Sequence, residues 1–131
     1  MNIGFIAHDG KKKLMQNLCI AYRGILVKHN LYSTGTTGRL IEDATGLPVH
    51  KLLAGHVGGE QQLSAMVDRG QIDLMIFLRD PEEHQDKVPD VGKAIRQCDL
   101  NNVPLATNIA SAELLLKSLD RGDLEWREMY K

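Results

Sequence analysis

Short apolar runs alternate with amphipathic segments along the whole chain. The apolar runs contain few polar residues, which is typical of β-strands that are covered on both faces. The run from Pro48 is the weakest of them, because proline interrupts its start and cannot donate a ladder hydrogen bond. The pattern predicts strands over residues 2–7, 31–33, 47–53, 72–78 and 103–107.

Between these runs, apolar residues recur at the spacing of a helix face. The first such segment is predicted as one helix over 11–28, in which we expect Leu14, Leu18 and Leu26 to face inward. Further helices are predicted over 39–45, 60–69, 91–100 and 111–119, followed by a charged tail over 120–131. This alternation predicts an α/β fold: a three-layer, Rossmann-like single domain, 1–131, with a mostly parallel sheet of about five strands.

Composition narrows the class of protein. A chain of 131 residues with 43% hydrophobic residues is long enough to bury a core without disulfide or metal. Its net charge of −1 is unlike that of a general nucleic-acid binder. Cys19 and Cys98 lack metal-ligand spacing and are predicted to be buried free thiols. With no signal peptide and no apolar run of transmembrane length, we expect a cytoplasmic protein without a membrane partner.

The most distinctive stretch is Thr-Gly-Thr-Thr-Gly at 34–38, directly before a predicted helix. Hydroxyl groups and unobstructed backbone N–H groups at a helix N-terminus form an anion site, and phosphate is the usual ligand. Thr-Gly turns also serve only to cap helices. The turn by itself leaves both interpretations open.

Polar residues follow the other predicted strands as well. Those at the strand ends are His8, Asp9, Lys12, Thr34–Thr37, Gly55–Glu60, Arg79, Asp80, Asp90 and Thr107. Each has an ordinary structural explanation, since His8 could be a satisfied polar group and Asp90 a helix cap. However, parallel strands end at one edge of a sheet, where ligands bind in the crevice at a switch in strand order. Their convergence therefore favours a functional site.

At this point the chain resembles the methylglyoxal synthase family over nearly its whole length. The resemblance rests on Ile-Ala-His8-Asp9 with Lys12, the 34–38 turn, Gly58-Gly59-x-Gln61-Gln62, Phe-Leu-Arg-Asp80-Pro81, Pro89-Asp90-Val91 and Pro-Leu-Ala-Thr107-Asn108. It implies an enzyme that converts dihydroxyacetone phosphate to methylglyoxal and inorganic phosphate without a metal or organic cofactor. It also implies a homohexamer.

The resemblance implies a role for each matching residue. The substrate phosphate is held by Lys12, Thr34, Gly35, Thr36, Thr37, Ala54 and Gly55. Glu60 stands at the position of the catalytic base, His8 contacts the carbonyl region of the substrate, and Asp90 carries protons or orients its neighbours. A neutral His8 can donate a hydrogen bond to the enediolate oxygen that develops as the base removes a proton.

The chain departs from the family pattern at four positions. Glu60 replaces the usual aspartate and is one methylene longer, and Ala54 replaces a serine. His56 stands where proline is common, and Lys87 aligns with a family histidine, with His84 three residues away. A base displaced by roughly 1 Å costs on the order of a hundredfold in rate.

Two further functions stay open at the level of sequence. The altered positions are compatible with a lyase or isomerase that acts on another small phosphorylated ketone or sugar. A non-catalytic sensor of phosphorylated metabolites would keep the threonine turn while the base position diverged. Trp126 and Tyr130 could anchor a subunit contact or fold over the core of their own domain.

Overall fold

A five-stranded parallel sheet forms the centre of the protein. The computed structural model describes residues 1–82 and 91–130, apart from the side chain of His56. The strands are β1 (Asn2–Ala7), β2 (Asn30–Ser33), β3 (His50–Lys51), β4 (Leu74–Leu78) and β5 (Leu105–Ala106). Their order is β3-β2-β1-β4-β5, and each neighbouring pair is parallel. The direction of the strand order therefore reverses between β1 and β4.

Helices cover both faces of this sheet. They are α1 (Lys12–Ala21), α2 (Arg23–Leu26), α3 (Gly35–Thr45), α4 (Gly59–Asp68), α5 (Val91–Asn101) and α6 (Ile109–Asp120). Short 3-10 segments span Asp9–Lys11, Gly55–Val57 and Glu125–Tyr130. One core cluster joins the sheet to α1, α2, α3 and α6, and a second joins it to α4 and α5. The predicted three-layer α/β architecture with a five-stranded parallel sheet is thus confirmed.

Several predicted elements are confirmed residue by residue. Strand β1 has the predicted bounds, and every residue of β4 is buried, as its continuous apolar run indicated. Cys19 and Cys98 are buried free thiols. Burial raises the pKa of Cys19 to about 12 and that of Cys98 to about 11. In the described part of the chain, no helix combines the length and the apolar character needed to cross a membrane.

The prediction of one continuous helix over 11–28 is wrong, because this segment forms two helices. The chain leaves helical geometry at Tyr22 (φ −106°, ψ 20°), which separates α1 from α2. Gly24, a poor helix former, follows two residues later. The buried stripe of α1 is Met15, Leu18 and Cys19, so Leu14 is 41% exposed instead of facing inward. Two overlapping apolar stripes were available in this segment, and the sheet packs against only one of them.

Two other predicted boundaries differ from the structure. The third strand is only His50–Lys51, because Pro48 cannot join the ladder, although Leu47 and Val49 are buried in the core. The helix predicted to start at residue 39 begins at Gly35. The threonine turn is therefore the first turn of α3.

The charged tail is bound to the opposite, amino-terminal edge of the sheet. Its Arg127 is buried, with Nε 3.5 Å from Oδ1 of the fully buried Asp73. Nη1 of Arg127 also donates to the carbonyl oxygen of Asn102. Oδ2 of Asp73 accepts a hydrogen bond from the backbone N–H of Asn2 at 2.8 Å. This ion pair ties the last turn of the chain to the first strand.

We predict that Arg127→Ala lowers the free energy of unfolding by ~3 kcal/mol, because it removes the cationic partner of a buried carboxylate. Urea denaturation measures the loss. The control is Arg121→Ala, which breaks an exposed pair with Asp123 and is expected to change stability little. Equal effects of the two substitutions would contradict the prediction.

Candidate active site

The carboxyl ends of all five strands lie at one edge of the sheet, and the predicted site residues lie there. His8 follows β1, the threonine turn follows β2, and Gly55 and Glu60 follow β3. Arg79 and Asp80 follow β4. Asp90, His84 and Lys87 lie outside the described residues, so the predictions made for them stay predictions.

Residues 52–54 connect the first turns of two helices. The N–H of Gly35, at the start of α3, donates to the carbonyl of Leu53 at 3.1 Å. The N–H of Gly59, at the start of α4, donates to the carbonyl of Ala54 at 3.0 Å. The N–H of Leu53 in turn donates to Oε1 of Gln62 at 2.8 Å. These bonds fix the threonine turn relative to the turn that carries Glu60.

Close backbone approach explains the glycine at position 59. A Cβ there would lie 1.8 Å from the carbonyl oxygen of Leu53, which is impossible without moving the backbone. The preceding Gly58 has φ +114°, a conformation that side chains strongly disfavour. In the sequence this pair is visible only as part of the motif Gly58-Gly59-x-Gln61-Gln62. Its role in joining two loops depends on a contact that sequence does not reveal.

The threonine turn leaves donors at the N-terminus of α3. Thr34 is the N-cap residue of α3, but its side chain makes no capping hydrogen bond. The first intrahelical donor is Gly38, which bonds to the carbonyl of Thr34 at 2.8 Å and leaves the N–H groups of Thr36 and Thr37 at the helix end. Capping by the threonine hydroxyl, the alternative left open by the sequence, does not occur.

The hydroxyl of Thr37 is an unusual feature of this turn. Thr37 is 1% exposed, and its Oγ1 has no hydrogen-bond partner in the described part of the chain. A buried, unpaired hydroxyl costs about 1–3 kcal/mol. Thr36, its neighbour, is exposed. A bound oxyanion is the kind of ligand that would compensate both the hydroxyl and the helix N-terminus.

His8 is held in one tautomer by the backbone of the neighbouring loop. Its ring is 5% exposed and stands edge-on to Phe77, with ring centroids 5.5 Å apart. Nδ1 accepts a hydrogen bond from the backbone N–H of Asp80 at 2.8 Å. In the neutral ring the proton is therefore on Nε2, which makes that nitrogen a hydrogen-bond donor. Sequence reasoning missed this contribution of Asp80, because every residue except proline has a backbone N–H and the donor cannot be recognised from residue type.

Lys12 supplies a positive charge at the end of β1. Its Nζ donates to the carbonyl of Ala7 at 2.7 Å and lies 3.0 Å from Oδ1 of Asp9. The side chain of Asp9 is 90% exposed, so this pair contributes little to stability. The backbone carbonyl contact instead orients the ammonium group at the sheet edge.

Glu60 is the buried acid of the site. It is 8% exposed and lies in the first turn of α4, where a negative charge is favourable. Ala54 and Gly55 are half-buried on the connecting segment. Among the described residues, no group of three or more His, Cys, Asp or Glu side chains could hold a metal ion. The site thus offers hydrogen-bond donors for an oxyanion together with one buried carboxylate.

Comparison with known proteins gives a consistent result. A family model described as an MGS-like domain matches residues 16–107. The methylglyoxal synthase of Caldicellulosiruptor saccharolyticus is 60% identical over 129 residues, which cover 98% of this chain and 92% of that protein. The methylglyoxal synthase of Thermoanaerobacter sp. (strain X514) is 55% identical, covering 98% of both chains.

A solved structure agrees with this result. The crystal structure of the methylglyoxal synthase from Elizabethkingia anophelis NUHP1 superposes with a TM-score of 0.85. It is 43% identical and covers 88% of this chain and 76% of that chain. The resemblance read from the sequence motifs is confirmed.

We predict that Gly59→Ala destabilises the protein by about 2–3 kcal/mol, because its Cβ would overlap the Leu53 carbonyl. Thermal unfolding measures the change. Gly24→Ala is the matched control: a Cβ there meets no atom within 4 Å, and alanine is expected to stabilise the helix by about 0.5–1 kcal/mol. Similar unfolding temperatures for the two variants would refute the account of this contact.

Proposed function

The chain belongs to the methylglyoxal synthase family, and we propose that it eliminates phosphate from dihydroxyacetone phosphate with Glu60 as the base. It is a carbon–oxygen lyase of the methylglyoxal synthase type. The observation that carries the residue assignment is the Leu53–Ala54 connection, which fixes an oxyanion-binding turn relative to a buried carboxylate. Catalysis of this kind depends on such fixed geometry.

The phosphate group of the substrate binds at the first turn of α3. Thr34, Thr36 and Thr37 supply hydroxyl groups, and the turn supplies the N–H groups that precede Gly38. Lys12 contributes a positive charge from the end of β1. Gly35 lets the turn lie against the connecting segment, because a Cβ there would lie 3.0 Å from the carbonyl oxygen of Leu52. Ala54 and Gly55, on that segment, complete the proposed phosphate site. The unpaired hydroxyl of Thr37 supports this assignment.

Proton removal takes place at the hydroxymethyl carbon next to the ketone. The Glu60 carboxylate accepts that proton, and the electron pair of the C–H bond moves to form an enediolate on the carbonyl oxygen. His8 donates from Nε2 to this oxygen, which its neutral tautomer allows. Because the donor is in place before reaction, little reorganisation is needed as charge develops.

Phosphate then leaves with the electron pair of the C–O bond. As it leaves, the terminal hydroxyl of the enediolate loses its proton to the departing phosphate and becomes the aldehyde C=O, while the C=C electrons shift to the neighbouring carbon–carbon bond. The resulting enolate gains a proton at its methylene carbon to give methylglyoxal. The C–O bond must stand roughly perpendicular to the enediolate plane. The residues that bind the phosphate set this orientation, so they control whether phosphate is eliminated as well as how tightly the substrate binds. Asp90, a sequence-based candidate for proton transfer, lies outside the described residues.

A lyase is preferred to the other functions that the sequence left open. The relatives with more than half of their residues identical are methylglyoxal synthases, which disfavours a non-catalytic sensor. Ala54 and Glu60 are the positions that would support a different phosphorylated ketone or sugar as substrate. Faster turnover of another phosphorylated sugar than of dihydroxyacetone phosphate, in a panel assay, would establish that alternative.

The enzyme assembles into a homohexamer in this proposal, as the family resemblance implies. Three apolar side chains near the end of the chain, Trp126, Met129 and Tyr130, are largely exposed and suit a subunit contact. Light scattering after size-exclusion chromatography tests the assembly, and a monomeric mass would contradict it.

A cytoplasmic location is also proposed, since buried free thiols suit a reducing compartment. Cell fractionation tests the location.

We predict that Glu60→Gln lowers the rate of methylglyoxal formation at least about a hundredfold, because the amide cannot accept the substrate proton. The assay follows methylglyoxal and free phosphate from dihydroxyacetone phosphate. Glu125→Gln, which changes an exposed glutamate in the tail, is the control and is expected to leave the rate unchanged. If the wild-type protein forms no more product than Glu60→Gln, the role of Glu60 as base is wrong.

We predict that Thr37→Val weakens phosphate binding without lowering the stability of the fold. Valine has nearly the same shape but lacks the unpaired hydroxyl, so stability should be unchanged or higher by about 1 kcal/mol. Affinity for inorganic phosphate should fall about tenfold, since a charge-assisted hydrogen bond is lost. Calorimetric titration and thermal unfolding measure the two quantities. A stability loss with unchanged phosphate affinity would show that the hydroxyl is structural.

A further inference from the structure

A cavity opens at the carboxyl edge of the sheet, beyond the ends of β4 and β5. Its volume is about 490 Å³, and it lies where α1 and α6 begin. Its lining includes Lys11, Leu14, Leu78, Arg79, Thr107 and Ile109. None of these residues is assigned above to phosphate binding or proton transfer. The lining thus shares no residue with the proposed phosphate-binding and proton-transfer set, although Arg79 and Thr107 are strand-end candidates in the sequence.

Two basic side chains, Lys11 and Arg79, line this cavity. Within residues 1–82 and 91–130, neither Lys11 nor Arg79 forms an ion pair. The adjacent Lys12 differs, because it is oriented by Ala7 and Asp9. Two cations with no ion-pair partner among the described residues, beside low-dielectric walls, produce a positive potential that attracts anions.

The carboxylate of Asp80, between Arg79 and Pro81, is not part of the lining. Its Oδ1 accepts the N–H of Glu82 at 3.0 Å, and its Oδ2 lies 2.5 Å from the point where a Cβ of Gly10 would stand. At the start of α6, the Asn108 side chain accepts the N–H of Ser111 and leaves the preceding N–H groups at the helix end. The polar part of the cavity thus consists mainly of donors, which is the composition expected of an anion site.

The rest of the lining is apolar. Leu78 and Ile109 contribute to it, and so does Leu14, whose side chain is 41% exposed beside the cavity although its helix has a separate buried stripe. A fully solvated inorganic ion would gain nothing from these side chains. A ligand with a short carbon portion would bury them.

We propose that this cavity binds a small organic phosphate, with its phosphate group between Lys11 and Arg79 and its carbon portion against Leu14 and Ile109. This inference goes beyond the lyase activity and does not rest on it. Arg79 and Pro81 flank Asp80, whose N–H fixes the tautomer of His8. A ligand in the cavity would therefore contact the segment that orients the proposed oxyanion donor.

The test is a titration of the full-length protein with phenyl phosphate, followed by amide chemical shifts in two-dimensional NMR. We expect shifts at Ile109 and Ala110 that saturate separately from those at Thr36 and Thr37. Lys11→Ala and Arg79→Ala should each weaken binding at Ile109 at least about tenfold, whereas the control Lys13→Ala should not. The dispersion of each spectrum also reports whether the variant is folded.

Three results would overturn the proposal. The first is that phenyl phosphate changes the amide chemical shifts of Thr36 and Thr37 only, which would confine binding to the proposed active site. The second is unchanged binding at Ile109 in both Lys11→Ala and Arg79→Ala. The third is inorganic phosphate binding there as tightly as phenyl phosphate, which would exclude a role for the apolar wall. Thr37→Val should leave the Ile109 response intact, so a failure of the lyase mechanism is distinguishable from a failure of this site.

Discussion

The proposed active site depends on a few backbone hydrogen bonds made by Leu53 and Ala54. Their carbonyl groups accept the first N–H groups of α3 and α4, so a segment of irregular structure determines the relative position of two helix N-termini. The approach is close enough that only glycine fits at the start of α4. In a fully extended chain, Thr37 and Glu60 would be roughly 80 Å apart and would share no constraint; here one segment fixes their relative position.

The two edges of the parallel sheet have different roles. At the carboxyl edge, the buried Thr37 hydroxyl has no hydrogen-bond partner among the described residues, which costs stability and suits ligand binding. At the amino edge, Asp73 and Arg127 form a buried pair that binds the tail to the first strand. Strain at a site persists only when the surrounding structure compensates for it, and the two well-packed core clusters provide that compensation.

Backbone groups contribute much of the proposed chemistry. The N–H of Asp80 assigns the proton of neutral His8 to Nε2, and the N–H groups at the start of α3 face the position proposed for phosphate. Such groups are oriented by secondary structure and need no reorganisation during reaction. The side chains of Glu60 and Ala54 are therefore carried on a frame that backbone hydrogen bonds hold in place.

The sequence by itself determined the alternation of strands and helices, the parallel sheet, the buried thiols and the family, because apolar periodicity and motif order are local properties of the chain. It also indicated the threonine turn and Glu60 as site candidates. Only the tertiary structure decided which apolar stripe of α1 is buried, how short β3 is, and that Arg127 meets Asp73. The tertiary structure likewise decided that Gly59 packs against the Leu53 carbonyl and that the N–H of Asp80 donates to Nδ1 of His8. These outcomes depend on contacts between residues distant in sequence, whose partners no local pattern specifies.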